Sequence, residues 1–243
     1  MKSPLAPDGK RPPPGSYLML VNADFSKRVI ITPEHHRWVA SPEGGVERMM
    51  LDRIGGEQAR ATSLVRYAEG SQFPRHAHPA GEEILVLSGT FSDESGDYPA
   101  GWYLRNPPGS SHRPSSREGA TIFVKLRQMP SSETQTVRVD TRDPSRWAGR
   151  AGREACLLFA GAAEQVALER LTAGEPVFEH PVEGGAELLV LEGGLEEGAG
   201  GYPRGSWVRL PAGERANLVA GPDGATLYRK TGHLAADRTF GVW

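Results

Sequence analysis

The sequence predicts an all-β protein made of two copies of one barrel. Three observations carry this. Gly (30) and Pro (20) make up about a fifth of the 243 residues, and helix interiors tolerate neither well. Short β-branched or apolar runs alternate with turn signals, the pattern of a sandwich or barrel. The second half of the chain repeats the first at an offset of 104 residues.

The elements follow in order. Residues 1–15 lack periodicity and hold five prolines, so they read as a mobile tail. From Tyr17 onward, strands are expected at 26–32, 61–67, 83–87, 121–126, 136–140, 165–171, 188–191 and 226–230. Turn signals separate them: Pro-Glu-Gly-Gly at 42–45, Glu-Gly at 69–70, Ser-Gly-Asp at 95–97, Pro-Pro-Gly at 107–109 and Gly-Pro-Asp-Gly at 221–224. No window reads as a long amphipathic helix.

The repeat is ungapped from Leu64 to Gly109. Leu64 falls on Leu168, Gly70 on Gly174, His76 on His180, Glu83 on Glu187 and Leu85-Val86-Leu87 on Leu189-Val190-Leu191. Gly89 falls on Gly193, Tyr98-Pro99 on Tyr202-Pro203, Gly101 on Gly205, Arg105 on Arg209 and Pro107 on Pro211. After one inserted residue, Lys125 falls on Lys230. Matches strongest at Gly and Pro indicate a backbone path that recurs. The expected organisation is a tail over 1–15, a first barrel over 16–131 and a second over 132–243, joined near the Met-Pro-Ser-Ser-Glu-Thr stretch.

Charge and composition narrow the function. With 28 Lys+Arg against 30 Asp+Glu the net charge is −2, unlike a nucleic-acid binder or a polybasic membrane-surface protein. The apolar runs are too short to span a bilayer, and the N-terminal stretch lacks the apolar core of a secretory signal. One cysteine, Cys156, cannot form an intrachain disulfide. A cytoplasmic protein acting on a small molecule is expected, with neither nucleic acid nor membrane as a partner.

The chemistry concentrates in the first copy. His76 and His78 are two apart, so on a strand both imidazoles face one side. Glu82 follows a short Pro-Ala-Gly turn and keeps that parity if the turn preserves it. His112 arrives from another hairpin, after Pro107-Pro108-Gly109. Three imidazoles and a carboxylate converging in a barrel suit one divalent transition metal: Fe, Zn, Mn, Ni or Cu. Such a set leaves one or two coordination positions for water, substrate or dioxygen. The second copy keeps His180 but carries Val182, Ala186 and Ala216 where the first has His78, Glu82 and His112, so it is expected to hold no metal.

Gly70, His76, His78, Glu82 and Gly89, followed by Gly101, Pro107, Gly109 and His112, resemble the two motifs of the cupin superfamily, with Ser116 where Asn is frequent. The stretch from Gly81 to His112 is similar to the ChrR-type subgroup. That subgroup includes the cupin domain of zinc-dependent anti-sigma factors and freestanding proteins similar to acetylacetone dioxygenase. The resemblance implies two tandem double-stranded β-helix (jelly-roll) barrels, with metal roles for His76, His78, Glu82 and His112.

Several other residues read as structural. His35, His36 and His233 are expected at the surface, His180 as structural or surface, and Cys156 as a core thiol. Ile84, Val86 and Val124 read as core, some of it lining a pocket. One parity of Trp102, Tyr103 and Arg105 faces inward. The acidic loop 93–97 reads as a solvated hairpin, not a calcium site. The expected function is that of a metal-dependent dioxygenase or related enzyme on a small carbonyl or diketone-like substrate, with no organic cofactor and no catalytic group nameable beyond the ligands. The alternatives are a ChrR-like sensor lacking the anti-sigma domain and a non-catalytic structural bicupin. The second barrel would stabilise the first or form an oligomer contact, such as a homodimer.

Overall fold

The computed structural model describes residues 19–41, 44–56 and 58–235; the tail expected over 1–15 lies outside them. Two antiparallel sheets dominate. The first runs in the order Leu20–Val21, Val46–Ile54, Arg60–Tyr67, Ala120–Leu126, Glu82–Asp93, Trp102–Asn106, Val137–Asp140. The second runs Trp147–Arg150, Arg153–Ala160, Gln165–Leu171, Val219–Thr231, Ala186–Glu197, Trp207–Leu210, Val29–Ile31. Two 3-10 turns, Pro33–His35 and Pro144–Arg146, are the helical elements among the described residues. The all-β, two-barrel expectation therefore holds.

Alternation along each strand builds two kinds of core. In Glu82–Asp93, Ile84 and Val86 point into the first barrel with Val46, Val65, Leu104, Ile122 and Val124. Leu85 points the other way, against Leu64, Phe123, Leu168, Leu189, Trp207 and Tyr228. That second set is the seam between the barrels. Cys156 lies in it, fully buried, and burial pushes its thiol up. The second barrel is filled by Val182, Ala186, Leu188, Val190, Leu210, Ala216 and Leu227.

The barrels exchange strands. Val29–Ile31 belongs to the first half of the chain yet pairs with Trp207–Leu210 of the second, Ile31 opposite Trp207. Val137–Asp140 follows the junction yet pairs with Trp102–Asn106 of the first, Trp102 opposite Asp140. Each exchange completes one sheet with chain from the other side of the repeat.

Charges sit inside the seam, the recurring ones among them. Glu83 accepts from Lys230 (2.7 Å), Arg105 (3.2 Å) and the Tyr228 hydroxyl. Glu187 accepts from Lys125, from Trp207 (2.7 Å) and from His233 (3.2 Å). Each lysine thus reaches the glutamate of the other barrel. Burial alone would raise the Glu83 carboxyl; the Lys230 and Arg105 cations outweigh it and hold it below its usual range. Buried charges persist only when so paired. This explains why Glu83/Glu187 and Lys125/Lys230 recur in sequence; Arg209, the counterpart of Arg105, is buried on Asp52 instead.

Two expectations are corrected. His233 is not at the surface: it is 2% exposed, bonded to Glu187, and burial pulls its imidazole down to about 4. The Gly-Pro-Asp-Gly stretch at 221–224 does not separate strands. It is absorbed into Val219–Thr231 as a bulge, where Ala220 pairs with Leu195 and Ala225 with Gly193. Strands also form at Val46–Ile54, where polar and apolar residues are mixed, and at Arg153–Ala160, which contains the apolar run around Cys156.

Candidate metal site

The site is built on a two-stranded ribbon. His76–His78 pairs antiparallel with Ser110–His112, His76 opposite His112 and His78 opposite Ser110. Opposed residues share a face, so all three imidazoles project together. The His78 carbonyl accepts from the Gly81 and Gly109 amides, at 3.1 and 2.9 Å, which ties both turns to one point. The parity of Glu82 survives the turn: Glu82 shares the inward face with Ile84 and Val86.

The donor atoms converge. The three imidazoles offer nitrogens all within 4.8 Å of one another. His78 Nε2 and His112 Nε2 are 3.1 Å apart, and Glu82 Oε2 is 3.4 Å from each. Two donors about 2.1 Å from one ion stand roughly 3.0 Å apart at a right angle and roughly 3.4 Å at a tetrahedral one; the spacing matches that range. His78, His112 and Glu82 are buried, while His76 is exposed and marks the open side.

Outer partners fix how these side chains present themselves. His76 Nδ1 lies 2.9 Å from the Pro74 carbonyl, which can only accept, so Nδ1 carries the proton and Nε2 the lone pair. His112 Nδ1 lies 3.3 Å from Asp93 Oδ2, with the same consequence. Burial pulls the His112 imidazole down, but the Asp93 hydrogen bond and the Glu82 and Asp93 charges outweigh it and raise it. Burial lowers His78. Asn106 Nδ2 donates to Glu82 Oε2 at 3.0 Å. Converging imidazole lone pairs beside a carboxylate form a cluster that could hold a metal ion.

The ribbon thus brings together His76, His78 and His112, and Glu82, on the strand Glu82–Asp93, lies 3.4 Å from the His78 and His112 nitrogens. The second barrel lacks the set: Val182, Ala186 and Ala216 are buried in its apolar core, and His180 is exposed. Trp102 faces the first barrel's interior, its ring 5.5 Å from that of Tyr98. Tyr103 and Arg105 point instead into the seam, so neither reaches the site. Ser116 is buried and donates to the Thr90 carbonyl at 2.7 Å. Sequence reasoning missed Asp93, Asn106 and Arg138. The side chain of Asp93 is 2% exposed, so it is no part of a solvated loop; its turn toward His112 depends on pairing across the barrel. Asn106, two residues beyond inward-facing Leu104, was the detectable one.

No curated protein matches the chain in sequence. Among solved structures, its fold is similar to that of a candidate dioxygenase from Nostoc punctiforme, with 14% identity, 84% of this chain and 82% of that chain covered, and a TM-score of 0.68. It is also similar to the bacterial pirin YhhW from Escherichia coli in complex with nickel(II), at 12% identity, 84% and 98% coverage and a TM-score of 0.62. A third is Bacillus subtilis oxalate decarboxylase, whose Mn(II) centres are described, at 12% identity, 84% and 76% coverage and a TM-score of 0.57. At these identities the likeness is one of fold. The sequence profile of the ChrR cupin-like domain matches residues 26–130 and again 134–235. With the same domain matched in tandem over most of its length, the chain belongs to the ChrR cupin-like family.

Proposed function

We propose that the first barrel binds one divalent transition metal through His76, His78, Glu82 and His112, and that the protein is a metal-dependent oxygenase-type enzyme acting on a small oxygen-bearing organic molecule such as a diketone. The observation that carries this is the convergence of three imidazole nitrogens, all within 4.8 Å of one another, with the Glu82 carboxylate 3.4 Å from two of them. Fold similarity to a candidate dioxygenase and to nickel- and manganese-bearing proteins supports it.

A redox metal at such a site supplies activation of dioxygen beside a chelating oxygen ligand, and zinc supplies polarisation of a carbonyl. The remaining work falls to the chain. Glu82, held by Asn106, serves as a ligand and not as a free base. Asp93 keeps the His112 ring oriented. The apolar wall of Ile84, Val86 and Val124 beneath the ligands excludes water. Substrate approaches past His76, the exposed ligand.

The test is metal content by mass spectrometry of protein purified without chelator or an affinity metal, beside His112→Ala. About one equivalent in the parent protein and loss in the variant are expected. Dioxygen consumption with a β-diketone should follow when the metal is iron or manganese. Absence of metal from the parent protein, even after reconstitution, would overturn the ligand assignment and the enzyme with it. Stoichiometric zinc with no dioxygen uptake would remove the oxygenase reading.

A further inference from the structure

Three residues support the ligands from outside, and one of them comes from the other half of the repeat. Arg138 lies on the exchanged strand Val137–Asp140, opposite Leu104. Its Nη2 donates to Asn106 Oδ1 at 2.7 Å, and Asn106 Nδ2 donates to Glu82 Oε2 at 3.0 Å. Arg138 is itself held, with Nη1 on the Val137 and Arg105 carbonyls (2.8 and 3.2 Å) and Nε on the Tyr98 hydroxyl (3.3 Å).

The chemistry of the three groups sets a direction. A guanidinium only donates, a carboxylate only accepts, and a primary amide does one at each end. Arg138 therefore forces the Asn106 oxygen toward itself and the Asn106 nitrogen toward Glu82. Without Arg138 the Asn106 oxygen loses its donor, and the amide is held toward Glu82 from one end only.

The repeat supplies an internal control. Ile30, on the other exchanged strand, stands opposite Val208 as Arg138 stands opposite Leu104. Asn106 corresponds to Leu210 and Glu82 to Ala186. Ile30, Leu210 and Ala186 pack in the second barrel's apolar core. An exchanged strand thus docks without an arginine, and the guanidinium and amide occur only where the carboxylate does.

We propose that Arg138 is a positioning residue for the metal site, holding Glu82 through Asn106, so that the strand crossing from the second half completes the ligand set of the first. This rests on the metal reading above. The test uses the full chain with Co(II) as the probe. Affinity is read by chelator competition and ligand geometry by the visible absorption of the saturated protein, with folding followed by circular dichroism of the metal-free form. Arg138→Ile and Asn106→Leu should each weaken Co(II) binding roughly 10- to 100-fold and alter the absorption band. The double variant should bind within about twofold of Asn106→Leu alone, because both changes act through one chain of bonds.

Arg138→Met, which keeps the apolar stem, is measured alongside. A folded Arg138→Ile or Arg138→Met with parental affinity and spectrum overturns the proposal. So does a double variant that loses the product of the two single effects. Failure of both Arg138 variants to fold makes the residue structural and overturns it equally. A parental protein that binds no Co(II) fails the metal reading instead, which is a separate result.

Discussion

Two histidines show how environment decides what the same side chain does. His112 is buried with Asp93 on one nitrogen, which fixes the other as a lone-pair donor toward His78 and Glu82. His233 is buried in the seam beside Glu187, among lysines, and burial holds it down to about 4 against an ordinary 6.5. The folded protein keeps His233 neutral, whereas the unfolded chain protonates it below about 6.5. Between those values the unfolded state binds more protons, so stability is fully present above about pH 6.5 and falls as the pH drops toward 4, by about 3 kcal/mol from this group. Denaturant unfolding across that range should show the decline, with a shallower slope in His233→Asn. An unchanged slope would remove the assignment.

At the scale of elements, the ribbon His76–His78 with Ser110–His112 and the long strand Glu82–Asp93 depend on tight turns. Gly89 shows how tight. Its φ is +66°, and a Cβ there would meet the Gly119 carbonyl oxygen at 1.9 Å. Gly109 is also left-handed, at φ +83°, but a Cβ there would meet nothing within 4 Å. Gly109→Ala should therefore cost only the left-handed strain, about 1 kcal/mol. Gly89→Ala should cost more, roughly 2 kcal/mol or above, because backbone must also move. Thermal unfolding of the two variants side by side checks the order; equal losses would contradict the close approach. The same contact recurs at Gly193, where a Cβ would meet the Gly224 oxygen at 2.1 Å, which is why both glycines stand out in the repeat.

The whole molecule is one interlocked pair. The seam buries Leu85, Tyr103, Phe123, Leu168, Trp207 and Tyr228, and its lysines neutralise the glutamates of the opposite barrel. Cutting the chain after residue 132 would expose that apolar face and remove Val137–Asp140 from the first sheet. Residues 1–132 alone should therefore aggregate or stay unfolded. Light scattering and circular dichroism of the fragment measure this, and a folded soluble monomer would refute the interlocked account. Among the described residues, no helix is long and apolar enough to cross a membrane.

Sequence by itself determined the all-β class and the repeat, and it singled out the three histidines that meet on the ribbon. Each is carried by local chemistry: turn residues at fixed offsets, period-two alternation, and imidazoles two apart on a strand. The replacement of three of the four residues by Val182, Ala186 and Ala216 in the second copy was legible as well. Only the tertiary structure decided the rest. The exchange of Val29–Ile31 and Val137–Asp140 is a choice of partner edge, and two sheets of one repeat offer equivalent edges to a strand. Arg138 and Asn106 lie 32 residues apart, and neither alone signals a role. His233 looked like a tail residue until the seam closed over it. Recurrence of Glu83, Arg105 and Lys125 was visible in sequence, but their meaning was not. Their partners lie across the seam, where burial turns surface-type charges into paired interior ones.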